Sequence, residues 1–204
     1  AGFQVVGEED TVVLCGDISW GMSLEQAEKD FAFLDALPGR KLLLKGNHDY
    51  WWNTAAKMNR FFAENGFSTL QILHNNCYEY GDYALCGTRG WFYEETGDQK
   101  VFKRELIRLE ASLKAAGERP KLCFLHYPPL YQGYSCPEII ALLEQYGVER
   151  CYYGHLHQPP PGGGGGAGRR GVSPGLRGLC GLPPAKNLRI IEKKYGNFGA
   201  YLLL

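Results

Sequence analysis

The chain has no excess of charge of either sign, because 22 Lys and Arg residues are matched by 22 Asp and Glu residues. It therefore lacks the basic field that holds nucleic acid or an anionic membrane surface. No apolar run approaches the roughly 20 residues that a bilayer-spanning helix needs. The opening AGFQVVGEED has neither the basic flank nor the apolar core of a secretory signal. We expect a cytoplasmic protein without a nucleic-acid or membrane partner.

The chain also lacks the cysteine spacings of a disulfide framework or a structural zinc site. Its seven cysteines include no C-x-x-C pair, and no Cys-His pair accompanies the clustered histidines. Four of the cysteines stand within apolar runs: Cys15, Cys86, Cys123 and Cys151. This placement predicts buried free thiols in a reducing compartment.

Apolar runs that alternate with amphipathic segments indicate the fold class. A chain of 204 residues with 45% hydrophobic content is sufficient for one sizeable domain. Short apolar runs predict buried strands, and a 3.6-residue apolar period predicts helices over residues 23–37, 54–64, 99–116 and 137–146. We expect an α/β domain with a partly parallel sheet, made mixed by hairpin-like strands in the middle of the chain.

Four of the predicted strands end in residues that can bind metals or transfer protons. Because ligands bind at the carboxyl ends of strands in open α/β sheets, we expect these residues to converge. One carboxylate, one amide and three imidazoles form a shell that suits manganese, iron or zinc better than calcium or magnesium. The runs VVLCGD, LLLKGNHD, LCFLH and CYYGHLH supply Asp17, then Asn47, His48 and Asp49, then His126, then His155 and His157.

Each of these motifs has a structural explanation when taken alone. An Asp after a strand commonly caps the next helix, and His126 before Tyr-Pro-Pro is as easily a satisfied core residue. No packing argument explains Asn, His and Asp side by side, and their joint occurrence at strand ends favours a functional site. His74 lacks this context and is expected to be structural, as Trp51 and Trp52 are expected to form core or pocket wall.

In their order along the chain, these motifs resemble the calcineurin-like metallophosphoesterase superfamily. The runs GDISWGMSLEQAEKDFAFLDALPGRKLLLKGNHDYWW, GTRGW and LHYPP look like a bacterial cytoplasmic phosphohydrolase branch of it. The resemblance covers about residues 8–157. It implies a β-sandwich of mixed sheets flanked by helices, and a site with two divalent ions, Mn, Fe or Zn, that hydrolyses phosphoesters through a bridging hydroxide.

The resemblance also implies a role for each residue. Asp17 would bridge the two metals, with Asn47, His126 and His155 completing one of them and His157 joining the other. His48 would contact the scissile phosphate and assist the leaving oxygen, and Asp49 would orient its imidazole. Arg89 in GTRGW would supply a cation to the phosphate, although a surface role is nearly as plausible. Trp20 occupies the region where many members carry an acidic residue followed by Arg.

The chain departs from the family at its start. Members begin with a strand that ends in Asp-x-His, and no such motif precedes the acidic run before Asp17. We therefore expect the first strand to be absent from this chain, activity to be impaired, and about one metal ion to bind. The alternative is a catalytically inactive relative that serves as a binding or scaffold domain.

The composition changes after residue 158, which predicts a metallophosphoesterase domain over 1–158 and a low-complexity tail over 159–204. The run PPPGGGGGAGRRGVSPG has no periodicity, so we expect low order over 159–184. Residues 172–185 are also consistent with a misread frame, because a one-base shift restores a β-rich pattern similar to the family's hairpin.

The substrate class stays open at this stage. A phosphorylated small molecule or protein is expected, and nucleotide, sugar phosphate and phosphodiester substrates are all compatible with the motifs, because specificity lies in variable loops. The sequence does not indicate an oligomeric state.

Overall fold

The structure is a computed structural model that describes residues 6–91, 99–131, 133–155, 190–195 and 198–203. In chain order its elements are β1 (Thr11–Leu14), α1 (Leu24–Asp35), β2 (Arg40–Leu43), α2 (Ala55–Glu64), β3 (Leu70–Ile72), β4 (Cys77–Tyr80), β5 (Tyr83–Thr88), α3 (Gln99–Ala115), β6 (Lys121–Leu125), β7 (Leu130–Tyr131), β8 (Tyr134–Ser135), α4 (Pro137–Gln145), β9 (Val148–Tyr153), β10 (Ile190–Tyr195) and β11 (Phe198–Leu203).

Two mixed sheets carry the fold. The first has the order β10-β11-β1-β2-β3, in which β1, β2 and β3 run parallel and the β10–β11 hairpin adds antiparallel to β1. The second has the order β4-β5-β6-β9, in which only β4 is antiparallel to its neighbour. The parallel strands of each sheet therefore end at one common edge, which is where the polar motifs of the sequence lie.

The sheets pack face to face, with helices on both outer surfaces. On β1, Val13 packs between the sheets while Val12 and Leu14 face the outer helices α1 and α2. On β6, Phe124 points into the same inter-sheet core, and Cys123 faces α3 and α4. Burial on both faces explains why these strands are continuous apolar runs without alternation.

The helices begin where the sequence predicts. Ser23 caps α1, its hydroxyl accepting a hydrogen bond from the Gln26 amide at 3.3 Å, and Thr54 caps α2 through the Lys57 amide at 3.3 Å. The predicted class, mixed sheets flanked by helices, is confirmed, with boundaries within about two residues for all four helices.

Two features of the fold lie outside the sequence prediction. The short β7–β8 hairpin follows the Tyr-Pro-Pro turn, and residues 190–195 and 198–203 of the predicted tail form the hairpin that extends the first sheet. The division after residue 158 stays a prediction. The expectations of low order and of a misread frame fall on residues 159–185, which are outside the described residues.

The free thiols are confirmed for the six cysteines that the structure describes. Four of them form one row across the second sheet, because Cys77 pairs in register with Cys86, Cys86 with Cys123, and Cys123 with Cys151. Burial raises the pKa of the Cys86 thiol to about 12, which makes it unreactive. Separately, no helix within the described part of the chain has the length and apolarity to cross a membrane.

Candidate metal centre

Three ionisable side chains and one amide, from four separate strand ends, meet at the common edge of the two sheets. One ligand atom each of Asp17, His126 and His155 lies within 4.8 Å of the others. Asn47 lies between the two histidines, with its Oδ1 2.7 Å from His126 Nε2 and 3.1 Å from His155 Nδ1. Asp17 and Asn47 come from the first sheet and the histidines from the second, so the centre depends on the packing of both sheets.

The backbone fixes the orientation of the His126 imidazole. Its Nδ1 lies 2.8 Å from the carbonyl oxygen of Cys15, which can only accept a hydrogen bond. Nδ1 must therefore carry the proton, which leaves the lone pair on Nε2 facing Asn47. Burial lowers the pKa of His126 to about 4, against the opposing effect of the Asp17 carboxylate, so the ring is neutral at pH 7. Its 3.8 Å approach to Asp17 is thus not an ion pair.

Asp17 presents one free oxygen to this centre. Its Oδ1 accepts a hydrogen bond from the His48 amide at 2.9 Å, whereas Oδ2 is buried and has no hydrogen-bond partner among the described residues. Asp17 and His155 both adopt a left-handed backbone, with φ of 57° and 65°. Non-glycine residues rarely do so, and such conformations concentrate at functional sites.

Glycines let the ligand-bearing loops approach each other closely. A Cβ on Gly46 would lie 2.1 Å from the Asp17 Oδ1, and one on Gly16 would lie 2.6 Å from the His126 Nδ1. On Gly154, a Cβ would come within 2.9 Å of the Cys15 carbonyl oxygen. The glycine before each of the motifs G-D, G-N-H-D and G-H is therefore required by backbone contact.

Asp49 is placed differently from its predicted role. Its buried carboxylate accepts hydrogen bonds from four backbone amides and one indole: Asp17 (2.8 Å), Ile18 (2.7 Å), Ser19 (3.2 Å), Gly46 (2.7 Å) and Trp51 Nε1 (3.0 Å). None of these donors belongs to His48. The contacts show Asp49 joining the loops that follow β1 and β2, in place of orienting the His48 imidazole.

His48 is held by aromatic neighbours. Its ring stacks on Trp20 with centroids 4.2 Å apart, and its Nδ1 lies 3.4 Å from the Tyr50 hydroxyl. Trp20 is 55% exposed, so the stacked pair lies at the mouth of the centre. Trp20, which the sequence marks only as a departure from the family, supports His48. Trp51 is buried in the core, as expected.

Of the other predicted residues, Arg89 lies close to the centre and His157 falls outside the described residues. The Arg89 carbonyl accepts hydrogen bonds from the amides of His126 and Tyr127, and its guanidinium lies 5.7 Å from the centroid of the Tyr127 ring. Sequence reasoning missed the charged neighbours of Arg89, namely Lys45, Arg108 and Glu105, and set His74 aside. Lys45 and His74 each follow an apolar strand, so the strand-end rule that found the other residues also applies to them.

The donor set fits a divalent metal ion. His126 Nε2, Asn47 Oδ1 and Asp17 Oδ2 all present lone pairs toward one another, an arrangement that needs a cation. At metal–ligand distances of about 2.0–2.2 Å, two donors on one ion lie about 3–3.5 Å apart. The distances found here, from 2.7 to 3.8 Å, bracket that range. Asp17, Asn47, His126 and His155 would hold the ion.

A sequence model described as calcineurin-like phosphoesterase matches residues 3–159, which include all four of these residues. The chain belongs to the calcineurin-like phosphoesterase family. Members of this family are metal-dependent, in agreement with the donor set. The chain is thus placed among phosphoester hydrolases.

Two relatives of the family agree with this placement. The glycerophosphodiester phosphodiesterase GpdQ of Enterobacter lignolyticus (strain SCF1) is 28% identical over 171 residues, which is 72% of this chain. The chain spans about 56% of that relative's length. The solved structure of TT1561 of Thermus thermophilus has a TM-score of 0.52 at 15% identity, covering 71% of this chain and 68% of that one. The second likeness concerns the fold alone.

Proposed function

We propose that this chain hydrolyses phosphoesters by a two-metal mechanism, with manganese, iron or zinc as the ions. The observation that carries the proposal is the convergence of Asp17, Asn47, His126 and His155, whose ligand atoms face one another in a largely buried setting. The family supports the reaction class. His157 is proposed as a ligand of the second ion, and the cytoplasmic location remains a prediction from the free thiols.

The ions, when bound, supply a Lewis acid for the phosphoryl oxygens and lower the pKa of water. The chain's own residues position the reactants. Asp17 and His126 hold fixed orientations, because the His48 amide and the Cys15 carbonyl each occupy one of their polar atoms. We propose that His48, stacked on Trp20 at the mouth of the centre, donates a proton to the leaving oxygen.

Removal of metal tests the proposal directly. The purified protein is dialysed against a chelator and assayed on an aryl phosphate monoester and an aryl phosphodiester, before and after the addition of Mn²⁺, Fe²⁺ or Zn²⁺. A diester is included because the relative from Enterobacter is named as a diesterase. We expect turnover to disappear with the chelator and return with metal. Metal binding without hydrolysis of any ester would favour the inactive binding domain.

A change at His48 separates proton transfer from metal binding. His48→Asn should lower kcat about a hundredfold on esters with poor leaving groups and much less on good ones, because general acid catalysis contributes about 10²–10⁴-fold. Metal content should stay unchanged, since the His48 side chain contacts Trp20 and Tyr50 and is not among the converging ligand atoms. Loss of the metal from this variant would contradict the assignment.

A further inference from the structure

The edge that carries the metal centre also carries a group of basic side chains. Lys45 follows β2, His74 follows β3 and Arg89 follows β5, while Arg108 reaches the same place from α3. We call Lys45, His74, Arg89 and Arg108 the basic cluster. The sheet edge is thus shared between metal ligands at β1, β6 and β9 and cations at β3 and β5, with β2 contributing to both.

Electrostatic coupling shows that these side chains lie close together. Burial lowers the pKa of Lys45, and the positive charges of Arg89 and Arg108 lower it further. Burial likewise lowers the pKa of His74, and the same three cations, Arg108, Lys45 and Arg89, add to the effect. A half-buried group of like charges is unfavourable unless a negative charge joins it.

The described part of the chain offsets only part of this charge. Glu105, which is 1% exposed, accepts hydrogen bonds from the Thr88 hydroxyl (2.5 Å), the Gly90 amide (3.1 Å) and Arg108 (3.2 Å). It therefore pairs directly with one cation. Lys45 and Arg89 form no ion pair with any residue that the structure describes, and two positive charges remain in excess. His74 Nδ1 is also buried without a hydrogen-bond partner in that same part.

The basic cluster adjoins the metal centre through two connections. Lys45 stands two residues before Asn47 on the same loop. Arg89 lies over the Tyr127 ring, whose centroid is 4.8 Å from that of His155. A molecule bound at the metal centre would thus lie beside the cluster.

We propose that the basic cluster is an anion subsite that binds a second negatively charged group, a phosphate or a carboxylate, on the phosphoester substrate. The proposal rests on the proposed function for the identity of the substrate. An ester with a neutral leaving group would make no use of these charges, whereas a doubly anionic substrate would gain charge-assisted hydrogen bonds from Lys45 and Arg89.

Phosphate binding to the metal-free protein tests the subsite without any catalysis. Titration calorimetry with inorganic phosphate is performed in chelator at low ionic strength on wild type, Lys45→Met and Arg89→Met. We expect each variant to bind phosphate at least about tenfold more weakly, since a hydrogen bond to a charged group contributes about 1.5–3 kcal/mol. Lys103→Met is the matched control, because Lys103 is an exposed lysine on the same helix as Arg108, and it should bind as wild type does. Equal affinity in all four proteins would overturn the proposal.

Stability provides a second measurement on the same samples. Lys45→Met should unfold at the same or higher urea concentration than wild type in the absence of anions, because it removes like-charge repulsion. Phosphate should stabilise wild type more than this variant. A less stable variant with undiminished phosphate affinity would show that Lys45 is a structural residue and would refute the subsite.

Turnover then separates the subsite from the proposed function. The ratio of kcat/KM for a carboxylated aryl phosphate to that for 4-nitrophenyl phosphate should fall about tenfold in Lys45→Met relative to wild type and Lys103→Met. Phosphate binding without hydrolysis of either ester would refute the phosphoesterase proposal and leave the anion site standing. Hydrolysis with an unchanged ratio would refute the substrate preference.

Discussion

Replacing Asn47 by Ala should lower phosphoesterase turnover by more than about a hundredfold and weaken metal binding at the same time. Residues that only support metal ligands already cost 10–100-fold when changed, so a residue whose oxygen lies among the ligand atoms should cost more. Asn47 Oδ1 is the atom that lies within 3.1 Å of both histidine nitrogens. The measurements are kcat at saturating metal and the metal content after dialysis.

The same substitution should have little effect on folding. Asn47 is only half-buried, and its oxygen faces the lone pair of His126 Nε2 in the absence of a cation. We expect the unfolding free energy of the metal-free protein to change by less than about 1 kcal/mol. Asn53→Ala, in the exposed loop before α2, is the control and should leave both activity and metal content intact. Wild-type turnover in Asn47→Ala would remove Asn47 from the centre.

Replacing Asp49 by Ala should have the largest effect on stability, a loss of about 3–5 kcal/mol. That is the range observed when one partner of a buried charged interaction is removed. The change would leave four backbone amides and the Trp51 indole without an acceptor in a site that is 1% exposed. Burial raises the pKa of Asp49 to about 6, against the lowering effect of the backbone amides. The carboxylate is therefore mostly ionised at pH 7, where urea unfolding is measured.

The control for Asp49 is Asp82→Ala, in the exposed turn between β4 and β5, which should cost less than about 0.5 kcal/mol. Activity will fall in Asp49→Ala as well, because the loop of Asp17 is held by the lost carboxylate. The stability measurement distinguishes the two roles of this residue. A variant that is as stable as Asp82→Ala but inactive would restore the orientation of His48 as the function of Asp49.

The G-D and G-N-H-D motifs illustrate how far local patterns extend. Each follows a strand buried on both faces, and the apolar runs of β1 and β2 are long enough to be recognised without a structure. Because parallel strands end at one edge, the convergence of Asp17 and Asn47 followed from the fold class. The same reasoning brought in His126 and His155 from the second sheet.

The roles of individual side chains were less accessible to sequence reasoning. Asp49 stands beside His48 in the chain, which suggested that it orients the imidazole, yet its carboxylate turns to backbone amides 30 to 32 residues away. His74 was set aside because it has no ionisable neighbours in sequence. Its charged neighbours Lys45, Arg89 and Arg108 come from two other strand ends and from a helix.

The sequence by itself determined the class of the fold, the glycine-preceded ligand motifs and their common edge, because burial pattern and strand direction are local properties of the chain. Only the tertiary structure decided which atoms face one another. The Cys15 carbonyl selects the tautomer of His126, Asp49 joins two loops, and Lys45 and Arg89 lie together beside the metal centre. Those contacts depend on the packing of two sheets against each other, and residues far apart in the chain carry no local signal of it.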